Sequence, residues 1–145
     1  DILIGGRKST GILTEMISET DRIQALLIGI GINVNQQMSD FPDDLQSIAT
    51  SIAIEEGETI DRVQFVANVL YFLESYTDLY VKHGFSMIKP MWEEASGTIG
   101  KNVRATTLRE VVVGKAIGIT ESGVLEIQLA DGTVKGVYSA DIEIV

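Results

Sequence analysis

The sequence predicts an α+β fold: a β-meander, three helices, and then a small antiparallel barrel. Three observations carry this reading. β-Branched apolar runs broken by glycines extend to Val34, apolar residues fall at helical spacing from Phe41 to Ala95, and short strands separated by glycine turns follow Gly97. The expected domains are 1–96 and 97–145, with the joint at Ser96 to Gly100.

Taken in order, Ile2 to Ile4 and Arg7 to Met16 flank Gly5-Gly6, a two-residue hairpin signal. After a polar stretch from Ser18 to Arg22, Ile23 to Val34 reads as a third strand buried on both faces. From Phe41 the period changes. Pro42 suits a first helical turn, and Leu45, Ile48, Ala49 and Ile52 share a helical stripe that ends near Gly57. Thr59 or Asp61 caps a longer helix reaching Lys82, whose wide apolar arc through Val66, Leu70 and Leu73 suits it to cover a sheet. Gly84 breaks it, and Ser86 to Ala95 forms a short helix carrying Trp92. The barrel strands are Val103–Ala105, Val111–Ile119, Val124–Leu129 and Thr133–Tyr138.

Composition narrows the function. The chain has 145 residues, 45% hydrophobic, enough to bury a core, and no apolar run of about 18 residues that would span a membrane. Eleven basic residues against 21 acidic give a net charge of -10, which argues against nonspecific nucleic-acid binding by this segment. Any polyanion must be met by a few placed groups. Cysteine is absent, which removes thiolate metal sites and fits a reducing compartment; the expected location is cytoplasmic. The N-terminus lacks a signal-peptide pattern and reads as a chain entered in its middle.

Two phosphate-binding motifs are approached by the sequence and neither is completed. A P-loop needs glycine directly before its lysine and a helix after it, whereas Arg7 precedes Lys8 and a strand follows. Gly29-Ile30-Gly31-Ile32-Asn33-Val34-Asn35 begins like a dinucleotide fingerprint but lacks the third glycine and the helix. The strand glycines still need a cause, since each weakens a strand by roughly 0.5–1 kcal/mol relative to alanine. Gly29, Gly31, Asn33 and Asn35 share one face, and either a ligand lies against them or a bulky neighbour does. Gly11, Leu13 and Glu15 share a face of the preceding strand, with Lys8 at the opposite parity. A bulge near Ser9-Thr10 would bring Lys8 to the same face; without one, it is a solvated turn lysine.

The remaining conspicuous residues take structural readings. His83 closes a helix, Trp92 belongs to the core, and the pairs Asp43-Asp44, Glu55-Glu56 and Glu93-Glu94 are solvated faces.

Lys8-x-x-Gly11-Ile12-Leu13-x-Glu15, followed by Gly29-x-Gly31-Ile32-Asn33, resembles the biotin protein ligases. The likeness continues through the long helix, Gly84-Phe85 and Trp92 into the C-terminal segment. It implies the C-terminal part of a catalytic domain like that of class II aminoacyl-tRNA synthetases, followed by an SH3-like barrel. It also implies a ligase that uses ATP and Mg2+ to form biotinyl-5'-AMP, then passes biotin to a lysine of a biotin carboxyl carrier protein.

On that resemblance Lys8 is the catalytic lysine, near the biotin carboxylate and the forming acyl phosphate. Gly11, Gly29 and Gly31 let the backbone approach biotin, with Leu13 and Ile32 as pocket wall. Asn33 faces the triphosphate and its metal, and Asp1 helps to hold that metal. Asp1 is similar to the last residue of the family's Lys-Trp-Pro-Asn-Asp segment, so the rest of that segment and an upstream glycine- and arginine-rich loop are expected before it. The segment alone is then expected to be inactive. Homodimerisation through the central sheet, and an N-terminal DNA-binding domain in some members, also follow from the resemblance. Ala140 departs from a glycine common in the family. Two alternatives stay open: a lipoate-type ligase, or a non-catalytic assembly module that uses its barrel and an exposed sheet edge.

Overall fold

The computed structural model describes residues 1–19 and 22–145. Thr20 and Asp21, within the polar stretch from Ser18 to Arg22, lie outside the described residues. The chain divides into two compact units, Asp1–Val69 and Leu70–Val145.

In the first unit, β1 (Ile2–Ile4), β2 (Arg7–Glu19) and β3 (Arg22–Ile32) form an antiparallel meander in the order β1-β2-β3. Gly5 and Gly6 both adopt positive φ, +57° and +81°, which the tight primed hairpin turn between Ile4 and Arg7 demands. The expected burial of the third strand is corrected: β3 is exposed along most of both faces, with Leu26, Leu27 and Ile28 each about half exposed.

The expected helix from Pro42 is also corrected. Residues 42–48 form turns, and α1 is confined to Ile52–Glu56. The cause is long-range. Residues 48–50 are drawn out to bridge Lys8, whose N–H donates to the Ile48 carbonyl at 2.8 Å while its own carbonyl accepts from Thr50 N at 2.9 Å. An extended bridge and a helix cannot share that backbone. Ser51 then caps α1 by accepting from Ile54 N at 3.2 Å.

Helix α2 (Arg62–His83) starts where expected, with Asp61 Oδ1 accepting from Val63 N and Gln64 N. None of its residues is buried, against the expectation that it covers a sheet. His83 occupies its last turn beside Lys82, as the sequence suggested.

The second unit contains the apolar core. A 3-10 turn at Phe85–Met87 leads into α3 (Ile88–Ala95), and β4 (Asn102–Thr106), β5 (Val111–Ile119), β6 (Leu125–Gln128), β7 (Val134–Val137) and β8 (Asp141–Ile144) form an antiparallel sheet ordered β7-β6-β5-β4-β8. Strand β8 was not anticipated; its register, Ala105 opposite Ile142, is a long-range pairing with β4. Val103, Ala105, Ala116 and Ile127 are fully buried and pack with Val112 and Val137.

Two readings on α3 exchange places. Trp92 is 46% exposed rather than core. Glu93 turns inward instead, accepting from Ile119 N at 2.9 Å, and its Oε1 would lie 2.8 Å from a β-carbon at position 118. Gly118 makes room for the carboxylate, and that contact sets which face of α3 meets β5.

Candidate functional site

The register of β2 on β3 brings together the two runs that the sequence presents separately. Gly11 lies opposite Gly31 and Leu13 opposite Gly29. They form the floor of an open cleft of about 520 Å³, lined by Asp1, Lys8, Gly11, Ile12, Leu13, Gly29, Ile30 and Gly31.

The glycines distinguish the two explanations left open for them. A β-carbon added at Gly29 or Gly31 would meet only backbone oxygens, Leu13 O at 3.8 Å and Gly11 O at 4.0 Å. Among the described residues no bulky side chain packs over them. Space above the sheet is open and no described residue fills it.

Lys8 reaches that space through a bulge. In the β1–β2 ladder Ile2 pairs with Thr10 and Leu3 with Lys8, so Ser9 is the extra residue. Ser9 is buried, with its hydroxyl donating to the Ile2 carbonyl at 3.2 Å. The change of parity brings the Lys8 side chain over Gly11, where a β-carbon would lie 3.5 Å from Cε and 3.6 Å from Nζ. Lys8 Nζ pairs with Asp1 Oδ2 at 2.9 Å, and both side chains are about half exposed. A half-exposed pair is worth little to stability, so the ammonium can be drawn to another anion at small cost.

Ile32 and Asn33 lie outside the cleft lining. Ile32 pairs with Thr10, and the Asn33 side-chain amide donates to the Thr50 carbonyl at 3.1 Å. Asn35, on the same predicted face, exchanges two hydrogen bonds with Ile60, each 2.9 Å, and serves the fold. Ile12 and Ile30 line the cleft although period-two alternation did not select them. Glu55 was read as solvated, yet its Oε1 accepts from Arg7 Nη2 at 2.7 Å and from Thr50 Oγ1 at 2.5 Å. No sequence signal marks that link, because its partners are 48 and 5 residues away.

Comparison with known proteins gives this arrangement a relationship. Residues 98–145 match the family described as biotin protein ligase C terminal domain. The bifunctional ligase/repressor BirA of Bacillus subtilis is 50% identical over 144 residues, covering 99% of this chain. This chain is similar throughout to the C-terminal portion of a biotin protein ligase. It spans 44% of the length of that relative. The apo structure of the biotin protein ligase from Aquifex aeolicus superposes with a TM-score of 0.85 at 25% identity, over 98% of this chain and 61% of that one. The Aquifex ligase in complex with biotin and ATP superposes at 0.82 with 24% identity, a likeness of fold. No helix among the described residues is long and apolar enough to cross a membrane.

Proposed function

We propose that this chain supplies one wall of the site in which a biotin protein ligase uses ATP to form biotinyl-5'-AMP and then transfers biotin to a lysine of a biotin carboxyl carrier protein. The observation that carries this reading is the Lys8 ammonium held beside an open glycine floor. A flat floor of Gly11, Gly29 and Gly31 suits a compact bicyclic ligand lying close to the backbone. Leu13 is assigned to its apolar wall, and Ile32, next to Gly31 but outside the cleft lining, to the continuation of that wall. The ammonium suits the carboxylate at the ligand's end and the charge that gathers as that carboxylate attacks the α-phosphate.

Exchange of Asp1 for the substrate carboxylate puts Lys8 where it neutralises charge in the acyl phosphate without acting as a nucleophile. The second anion, the triphosphate, is assigned to Lys8 and Asn33. Magnesium takes hard oxygen donors, and the Asp1 carboxylate and Asn33 amide oxygen are of that kind. When bound with ATP it offsets phosphate charge. Asn33 is already steadied by its bond to Thr50, so its oxygen needs little reorganisation.

The assignment extends to the architecture: residues 1–96 as the end of a synthetase-like catalytic domain and 97–145 as an SH3-like barrel. The net charge of -10 leaves DNA contact, carrier docking and dimer formation to surfaces other than a basic patch here. A lipoate-type ligase shares much of this chemistry, but the likeness of 98–145 to the biotin family's C-terminal domain favours biotin. The test is direct. The full-length natural protein, given biotin, MgATP and an apo carrier protein, is expected to add one biotin to a carrier lysine by intact-mass measurement; transfer of lipoate and not biotin contradicts the reading.

A further inference from the structure

We infer that Glu55 is a positioning residue for the Lys8 ammonium, acting through Arg7 and Thr50; the inference rests on the role proposed for Lys8. Arg7 and Lys8 are consecutive on a strand, so their side chains leave on opposite faces. Lys8 goes to the cleft and Arg7 to Glu55, and Glu55 does not line the cleft. The backbone at Lys8 is an unusual stretch of β2. Its pairing with β3 begins only at Thr10, and the bulge removes Ser9 from the ladder with β1. What holds Lys8 on its free side is the bridge to residues 48–50.

One carboxylate oxygen fastens both ends of that bridge. Glu55 Oε1 accepts from Arg7, the residue before Lys8, and from the fully buried Thr50, whose amide donates to the Lys8 carbonyl. The ring Glu55, Arg7, Lys8, Thr50 therefore closes behind the strand and ties the backbone before Lys8 to the segment that bridges it. The Glu55 and Arg7 side chains are 21% and 33% exposed, so the pair is largely withdrawn from water. A displacement of about 1 Å in a charged catalytic group costs on the order of 100-fold in rate. Losing the carboxylate removes the side-chain tie that joins both ends of the bridge and so loosens its resistance to such a displacement.

The experiment is a double-variant cycle in the full-length natural protein, reading single-turnover formation of biotinyl-adenylate from biotin and MgATP over hours. Glu55→Ala is expected to lower the rate constant roughly 10- to 100-fold while changing the biotin dissociation constant far less. Glu55→Gln, which keeps an acceptor for Thr50, loses less. In the Lys8→Ala background Glu55→Ala adds less than about twofold, because its effect runs through the ammonium. An undiminished rate in Glu55→Ala, or the same loss with and without Lys8, overturns the inference while leaving Lys8 in its role. An undiminished rate in Lys8→Ala overturns the functional reading, and this inference with it. If circular dichroism shows Glu55→Ala to be unfolded, Arg7→Met takes its place in the cycle with the same expected and contrary results.

Discussion

The two units are built on opposite terms. In Leu70–Val145 the buried residues are apolar, and Val103, Ala105, Ala116 and Ile127 form a sealed centre. Among the described residues of Asp1–Val69 they are mostly hydroxyls, Ser9, Thr10, Thr50 and Ser51, with Val34 and Ala53 for apolar company. The first arrangement gains stability from area removed from water; the second fixes direction through hydrogen bonds that cannot be exchanged freely. A scaffold needs the former. A site that must hold a charge over an empty floor needs the latter.

The contrast can be broken most forcefully in the core. Ile127→Ala should cost about 2–5 kcal/mol in urea unfolding, whereas Ile28→Ala, in the exposed meander, should stay within about 0.5 kcal/mol. Equal costs would erase the distinction. Gly114→Ala should come next, at about 1–3 kcal/mol, because its β-carbon would collide with the Gln128 backbone. Gly11→Ala sharpens the comparison from the other side. Its β-carbon meets Lys8 and Asp1 only at ordinary contact distances, so unfolding should barely change while biotin affinity in the full-length protein, read by calorimetry, falls.

How far the sequence could be read follows the range of the interactions. The Gly5-Gly6 turn, the Asp61 cap and the period-two spacing of the glycines within β2 and within β3 are local or periodic, and they are legible, whereas the register that sets Gly11 opposite Gly31 is not. The turns at 42–48, the inward Glu55 and Glu93, and strand β8 are set by partners far along the chain, which composition does not announce. Lys8 sits between these cases. Its parity disqualifies it until the bulge at Ser9 is allowed for, and only the register of β1 establishes that bulge.

The smallest expected effect lies on the surface of the second unit. The Thr133 hydroxyl, then its amide, hold the exposed Asp131 carboxylate below the usual aspartate range. A lowered native pKa favours the fold above the ordinary aspartate value, near pH 4, and that benefit fades as pH falls through the native value. Asp131→Ala should flatten that part of the urea midpoint against pH, and an unchanged profile would count against the turn's contribution.

The central claim is that Lys8, carried over a glycine floor by one extra residue, stabilises the charge of adenylate formation. Single-turnover biotinyl-adenylate synthesis by Lys8→Ala in the full-length natural protein tests it most directly. The account predicts a loss of about two to three orders of magnitude, with the unfolding midpoint unchanged; an adenylation rate equal to that of the unaltered protein would contradict it.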